Sequence, residues 1–370
     1  MPRTPAMTPQ RLAAARISVH LLGWMLVALA AARAAPTAAE ELASIRPSCL
    51  RAGPMVGSTE ISEARLWLQT RWPCRTQIRF WPEGSPEQAR LSAEITTGVA
   101  GDHIGAFELS ALAFGARYQY ELYLDGERAA LPYPTHFATQ SMWQWRTDPP
   151  LIRVAIGSCL YVNEPPFDRP GKPYGSGYEI LASIVVQQPD AMIWLGDNPY
   201  TREADFGSEA AMRRRYAHTR ELPELQPLLA STANYATWDD HDFGPDNSDR
   251  SFRGRDLSLR IFGDYWANPT AGTRETPGVF FTFSRGDIDF FLLDDRFYRD
   301  ADRAVSAGKR MLGREQLAWL ADALAFSKAP FKIIANGNQV LNTVTAHETM
   351  ALFPAEQGEL IALIRDARIE

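Results

Sequence analysis

Four short apolar runs in this chain each end in a polar cluster, and that pattern restricts the fold more than any other feature. Arg153–Ile156 leads into Gly157-Ser158-Cys159, and Ala191–Leu195 into Gly196-Asp197-Asn198-Pro199-Tyr200. Tyr235–Trp238 leads into Asp239-Asp240-His241-Asp242, and Phe290–Leu293 into Asp294-Asp295-Arg296. In an open α/β sheet the carboxyl ends of the strands form one crevice, so clusters far apart in sequence converge on one spot. A thiol, a phenol, several carboxylates and an imidazole meeting there point to a metal site that performs hydrolysis.

The length of 370 residues suits two domains, because single cores rarely grow beyond roughly 250–300 residues. With 45% hydrophobic and 22% charged residues the chain has material for a real core. The net charge of −6 gives no support for nucleic acid as a partner. Arg213-Arg214-Arg215 reads as a solvated helix face, with a substrate-phosphate contact as the alternative.

Residues 1–35 read as a secretory signal. Arg3, Arg11 and Arg16 precede the apolar stretch Leu21–Ala30, and small residues follow around Ala32-Arg33-Ala34-Ala35. The stretch is shorter than the roughly 20 residues that span a bilayer, and an uncleaved anchor is the alternative. The segment contains no Arg-Arg pair, which favours the ordinary export route, so a periplasmic or secreted protein is expected. No later segment looks transmembrane. In an oxidising compartment Cys49 and Cys74 could pair, leaving Cys159 buried, reactive or held as a metal thiolate.

Residues 47–140 read as short strands. Arg65–Gln69, Gln77–Trp81 and Tyr118–Leu124 alternate, the last before the turn Asp125-Gly126. Leu109, Leu112, Gly115, Tyr118 and Tyr120 resemble the turn and tyrosine corner of fibronectin-type sandwiches. The region lacks a comparable concentration of titratable groups and is read as a structural or substrate-shaping β-sandwich. A linker at about 139–150 ends in Asp148-Pro149-Pro150, which favours extended chain. From Leu151 strands alternate with amphipathic helices. Tyr178–Gln188 places Ile180, Leu181, Ile184 and Val185 on one face; Arg314–Ser327 turns Leu317, Leu320 and Leu324 inward; Glu356–Arg368 is a third helix. Phe280–Phe283 and Ile288–Leu293 suggest an antiparallel pair, and Phe331–Ile334 a further strand.

The four clusters, together with Met311–Leu320, follow the order of motifs in the PhoD-like alkaline phosphatase family. This is a branch of the calcineurin-like metallophosphoesterases. The resemblance spans about residues 150–370, and a preceding sandwich also occurs in that family. It implies an α+β chain: a fibronectin/Ig-like β-sandwich followed by a layered α/β/β/α metallophosphoesterase domain. It also implies an alkaline phosphatase or phosphodiesterase that uses a metal-bound hydroxide, with iron and calcium as cofactors. The substrate would be a small-molecule, lipid or polymer phosphate ester. Asp197 would bridge metals, Tyr200 would supply a phenolate and Cys159 a thiolate. Asp240 matches the position of a second-metal ligand, and His241 would donate a proton to the leaving oxygen.

Other readings compete at several positions. Asp197 alone would be a turn residue, and Tyr200 alone a packing residue. Arg296 could contact the phosphate or form a local ion pair with Asp294. Asp246 and Asn247 could bind calcium or form a polar loop, and one of Asn336, Asn338 and Asn342 could line the pocket. Family members also place ligands in a Gly-Asp-x-His type segment beyond a helix corresponding to Glu356–Arg368. This chain stops at Glu370, so the resemblance implies a C-terminally incomplete phosphatase domain, with a non-catalytic pseudoenzyme or phosphate-ester binding protein as the alternative.

Overall fold

The computed structural model describes residues 48–366 except 175 and 347, so the expected signal segment lies outside the described residues. The chain from Ser48 onward forms one compact unit, in which two architectures share a core.

The first architecture is the sandwich. β1 (Leu50–Thr59), β2 (Ala64–Thr70) and β6 (Ile104–Leu109) form one antiparallel sheet. The other is built on β3 (Arg75–Pro82) and β7 (Arg117–Leu124), joined by the short strands β4 (Arg90–Leu91), β5 (Ile95–Thr96), β8 (Glu127–Arg128) and β9 (His136–Ala138). Along β7 every second residue, Tyr118, Tyr120, Leu122 and Leu124, is buried, as a period of two demands when one face is covered. The Tyr118 hydroxyl accepts a hydrogen bond of 2.8 Å from the Ala113 amide, which makes the tyrosine corner real. Cys49 and Cys74 are disulfide-bonded. The ten-residue β1 has no counterpart among the strands read from the sequence.

The second architecture follows from alternation as well. β10 (Val154–Gly157), β11 (Ala191–Leu195) and β12 (Ala233–Thr237) are parallel; β13 (Phe281–Arg285) is antiparallel to β14 (Ile288–Leu292), which is parallel to β15 (Phe331–Ala335). Ile193 and Tyr235 of the first sheet meet Phe283 and Phe290 of the second, with Tyr235 and Phe283 stacked at 3.7 Å. The opposite faces take helices. Met192, Trp194 and Ala236 pack with residues of helices Glu209–Arg220, Gln226–Ser231 and Arg255–Tyr265. Phe291 packs with Leu317, Leu320 and Leu324 of helix Arg314–Phe326 and with Leu360 of helix Pro354–Asp366. Strands apolar on both faces thus produce the expected α/β/β/α layers.

Two local expectations change. Helix Glu179–Val186 buries Leu181 but leaves Ile180 65% exposed, so its apolar stripe is narrower than the spacing suggests. The triple arginine is no solvated face. Arg215 is fully buried and pairs with Asp205 at 2.8 Å and Glu164 at 2.6 Å, while Arg214 pairs with Glu164 at 2.7 Å. A helix-borne charge network clamps the loop after β10, because long arginine side chains can be buried wherever carboxylates neutralise them.

The sandwich is joined to the layers by hydrogen bonds. The Tyr120 hydroxyl donates to the Ala230 carbonyl at 2.9 Å, and the Trp67 indole to the Asp264 carbonyl at 2.9 Å.

Candidate metal centre

The residues after β10, β11 and β12 meet because the strands are parallel and in register. Gly196 turns the chain out of β11 with φ +97°, and a Cβ there would sit 2.5 Å from the Asp239 amide nitrogen. Only glycine lets the β11 and β12 loops approach so closely. Cys159 and Asp197 are non-glycine residues at φ 60° and 53°. Such left-handed backbone is uncommon and clusters at functional sites. It is held by the Cys159 amide donating to the Gly196 carbonyl at 3.2 Å and the Leu160 amide to the Asp197 carbonyl at 2.9 Å.

The structure brings Cys159, Asp197, Tyr200, Asp240 and His241 together. The Cys159 Sγ lies 3.6 Å from Asp197 Oδ2, and Asp197 Oδ1 accepts from the His241 amide at 3.3 Å. Asp197, Asp240 and His241 each offer a ligand atom, and these atoms lie within 4.8 Å of one another. The Tyr200 ring packs on His241 with centroids 4.3 Å apart. His241 Nδ1 is buried without a partner, and its Nε2 is 3.6 Å from Asp246 Oδ1.

The electrostatics fit a cation. Burial, Asp240 and Asp239 push Asp197 up to about 7, against the pull of His241. Burial also acts to raise Asp240, but Arg296, His241 and the Asn247 amide outweigh it and hold the group below the usual carboxylate range. Below about pH 7 the pair therefore keeps a proton on Asp197 unless another positive charge arrives. Burial and the Asp197 charge drive the Tyr200 phenol far up, and desolvation raises the Cys159 thiol against hydrogen bonds from Ser158 and Tyr200. A phenolate and a thiolate form here only opposite a strong Lewis acid, so the donor set suits a metal and Cys159 and Tyr200 suit one of high charge.

Arg296 is placed differently from the expected phosphate contact. It is fully buried, with Nε donating to Asp239 Oδ1 at 2.7 Å and Nη1 to Glu348 Oε1 at 2.5 Å and to the Ser248 carbonyl at 3.2 Å. Its ion pairs are with Asp239, Asp295 and Glu348 rather than Asp294, and its guanidinium is consumed within the protein. Asp294 is a backbone organiser: its carboxylate accepts from the Trp238 indole at 2.7 Å and from the amides of Arg296, Phe297 and Val279.

Some supporting residues were not singled out from sequence. The Asp242 carboxylate accepts from the Asn198 amide at 3.1 Å, the Asn198 side chain at 2.9 Å and the Asp239 amide at 3.0 Å, tying the two ligand loops together. With Asp239 it forms a capping box on the short helix Asp240–Phe243. The Asp-x-x-Asp spacing after a strand was the available signal. Asp295 is fully buried with neither carboxylate oxygen hydrogen-bonded and Arg296 Nε 3.6 Å from its Oδ1, and burial with the nearby Asp239 charge pushes it well up. Of the three asparagines after β15, Asn336 alone has a buried, unpartnered Oδ1. Asn247 contributes its amide to Asp240 Oδ2 at 2.7 Å.

No curated protein matches the chain. Residues 47–142 match the model of a domain of unknown function, DUF7800. The solved structure of PhoD superposes with a TM-score of 0.70 at 16% identity, covering 87% of this chain and 70% of that one. The purple acid phosphatase PPD1 from yellow lupin (Lupinus luteus) seeds superposes with a TM-score of 0.53 at 13% identity, covering 78% of this chain and 51% of that one. The model of the PhoD-like phosphatase family matches residues 167–367, more than half of the chain and the segment bearing Asp197, Tyr200, Asp240 and His241. The chain belongs to the PhoD-like phosphatase family.

Proposed function

We propose that the chain is an exported, metal-dependent hydrolase of phosphoric esters, acting on monoesters or diesters with iron and calcium as its cations. The observation that carries this reading is the convergence of Cys159, Asp197, Tyr200, Asp240 and His241 at the carboxyl ends of β10–β12. Asp197 lies beside both Cys159 and the Asp240–His241 segment, so its carboxylate would be shared between two cations. Cys159 and Tyr200 would hold iron beside it, and Asp240 a second cation. When bound, the cations would activate water and offset the charge that builds on the phosphoryl group.

The imidazole of His241 would give a proton to the leaving oxygen. Its ring is oriented by the Tyr200 face and by Asp246. Arg296 neutralises Asp239 from behind and so keeps the carboxylate cluster from repelling itself apart. Export rests on the charge and hydropathy pattern of residues 1–35. Among the described residues no helix is long and apolar enough to cross a membrane.

Elemental analysis and hydrolysis of p-nitrophenyl phosphate and bis-p-nitrophenyl phosphate test the reading. Bound iron and calcium with turnover of at least one ester are expected; metal-loaded protein that turns over neither, nor any phospholipid, sinks it. For His241→Gln, kcat should drop about 10²–10⁴-fold with metal content unchanged. Loss of metal in that variant would make His241 a ligand instead of the acid.

A further inference from the structure

A second site lies at the other end of the same strands. A cavity of about 480 Å³ opens between the sandwich and the layered half, lined by Trp81, Leu131, His136, Val185, Ala233 and Arg285. Ala233 begins β12, and Arg285 closes the hairpin just before β14 begins. The cavity is therefore at the amino ends of the parallel strands, whereas the metal centre is at their carboxyl ends.

Arg285 is the unusual member. It is only 5% exposed, yet among the described residues no carboxylate lies within 4.0 Å of its guanidinium. Its Nη2 donates to the Thr59 hydroxyl and, at 3.5 Å, to the Tyr235 hydroxyl, and its Nε is buried without a partner. Glu60 feels this charge through space without forming an ion pair, and burial is the larger influence on that carboxyl, raising it. The other arginines around the cavity are paired, Arg117 with Glu83 at 3.6 Å and Arg128 with Glu121 at 2.8 Å. Asp190, an exposed lining residue, forms no ion pair among the described residues, and its carboxylate accepts from the Arg153 backbone amide at 2.7 Å. Burial and Arg117 hold His136 down at about 4, so it is neutral, and its Nδ1 is also unpartnered.

A buried cation is costly unless an anion meets it. The volume falls within the roughly 300–1,000 Å³ of small-molecule sites, and such sites combine apolar walls with a few placed polar groups. We propose that this cavity binds an organic oxyanion, its carboxylate or phosphate head on Arg285 and its body against Trp81, Leu131 and Val185. The site is independent of the metal centre and of the reaction proposed for it.

Titration calorimetry on the metal-loaded full chain tests this, with phenylphosphonate as a phosphorus-headed probe that phosphoester hydrolysis does not consume and benzoate as the carboxylate-headed one. At least one probe should bind a site that survives Asp197→Asn and weakens at least tenfold in Arg285→Met. Ala138→Trp keeps the cation but intrudes from an exposed lining position, and should weaken the same site at least tenfold. Whichever probe binds more tightly identifies the head group. The proposal is overturned if neither probe binds in Asp197→Asn protein, or if binding there is unchanged by both Arg285→Met and Ala138→Trp.

Discussion

Arg296 and Arg285 are both buried guanidiniums, one at each end of the paired sheets, and their surroundings are opposite. Arg296 is ringed by Asp239, Glu348 and Asp295. Arg285 has two hydroxyls and an aromatic face, its carbon 5.9 Å from the Tyr235 ring centroid. One end gathers more carboxylates than its arginine can neutralise; the other buries a cation that, among the described residues, has no carboxylate in ion-pair contact, with Glu60 acting on it only through space. Both ends lack a counter-charge, and in each case its sign can be read from the residues that remain unpaired.

The comparison can be broken most decisively at the acidic end. Asp197→Asn removes the negative charge of the proposed bridging carboxylate and replaces one of its two oxygens with an amide nitrogen. It should lower kcat/KM about 10³-fold, the several kcal/mol that a bound cation contributes, with a matching loss of metal by elemental analysis. Full metal and activity in this variant would take Asp197 out of the site.

Next in size is Arg296→Met. Removing the partnered arginine strands Asp239 and Glu348, so chemical denaturation should show a loss of about 3–5 kcal/mol. A loss below 1 kcal/mol would mean that the carboxylates do not depend on it.

A smaller effect appears on stripping the metal. An acid raised to about 7 holds a proton in the folded protein over a range where the unfolded chain, with its carboxylate near 4, has released it. Stability of the metal-free protein should therefore fall by a few kcal/mol as pH rises from about 4 to about 7. The depressed Asp240 acts with the opposite sign, but its contribution is lost only as pH drops below the usual carboxylate range. Metal-loaded protein should show a shallower decline, since Asp242 and Asp295 are also pushed up by burial and keep their share; identical profiles with and without metal would show that Asp197 is not crowded.

The smallest effect is expected at the opposite end. Without an anion in the cavity, Arg285→Met removes an unmatched charge and should leave stability unchanged or raise it by about 1–2 kcal/mol. A loss of 3 kcal/mol or more would place a protein counter-ion beside Arg285 and erase the contrast with Arg296.

Much of the candidate metal centre was legible because its chemistry sits in short contiguous segments. A strand followed by Gly-Asp, or by Asp-Asp-His, states both the element and the end of it that faces the crevice. The strand of the tyrosine corner at Tyr118 was legible by its period of two, and β11, β12 and β14 as short apolar runs that end in polar clusters; each signal lies within one segment. Arg296 was legible as important but not in its role, because nothing local says that Asp239 and Glu348 arrive beside it. The same holds for Arg215, whose partners come from Glu164 and Asp205. The carboxyl-end clusters, their donor types and the family's motif order were determined by sequence alone, since each is a property of a few neighbouring residues. The tertiary structure alone decided which charges find partners. Pairing depends on distances between residues far apart in the chain, so the satisfied Arg296 and the unsatisfied Arg285 look alike until the fold has placed everything around them.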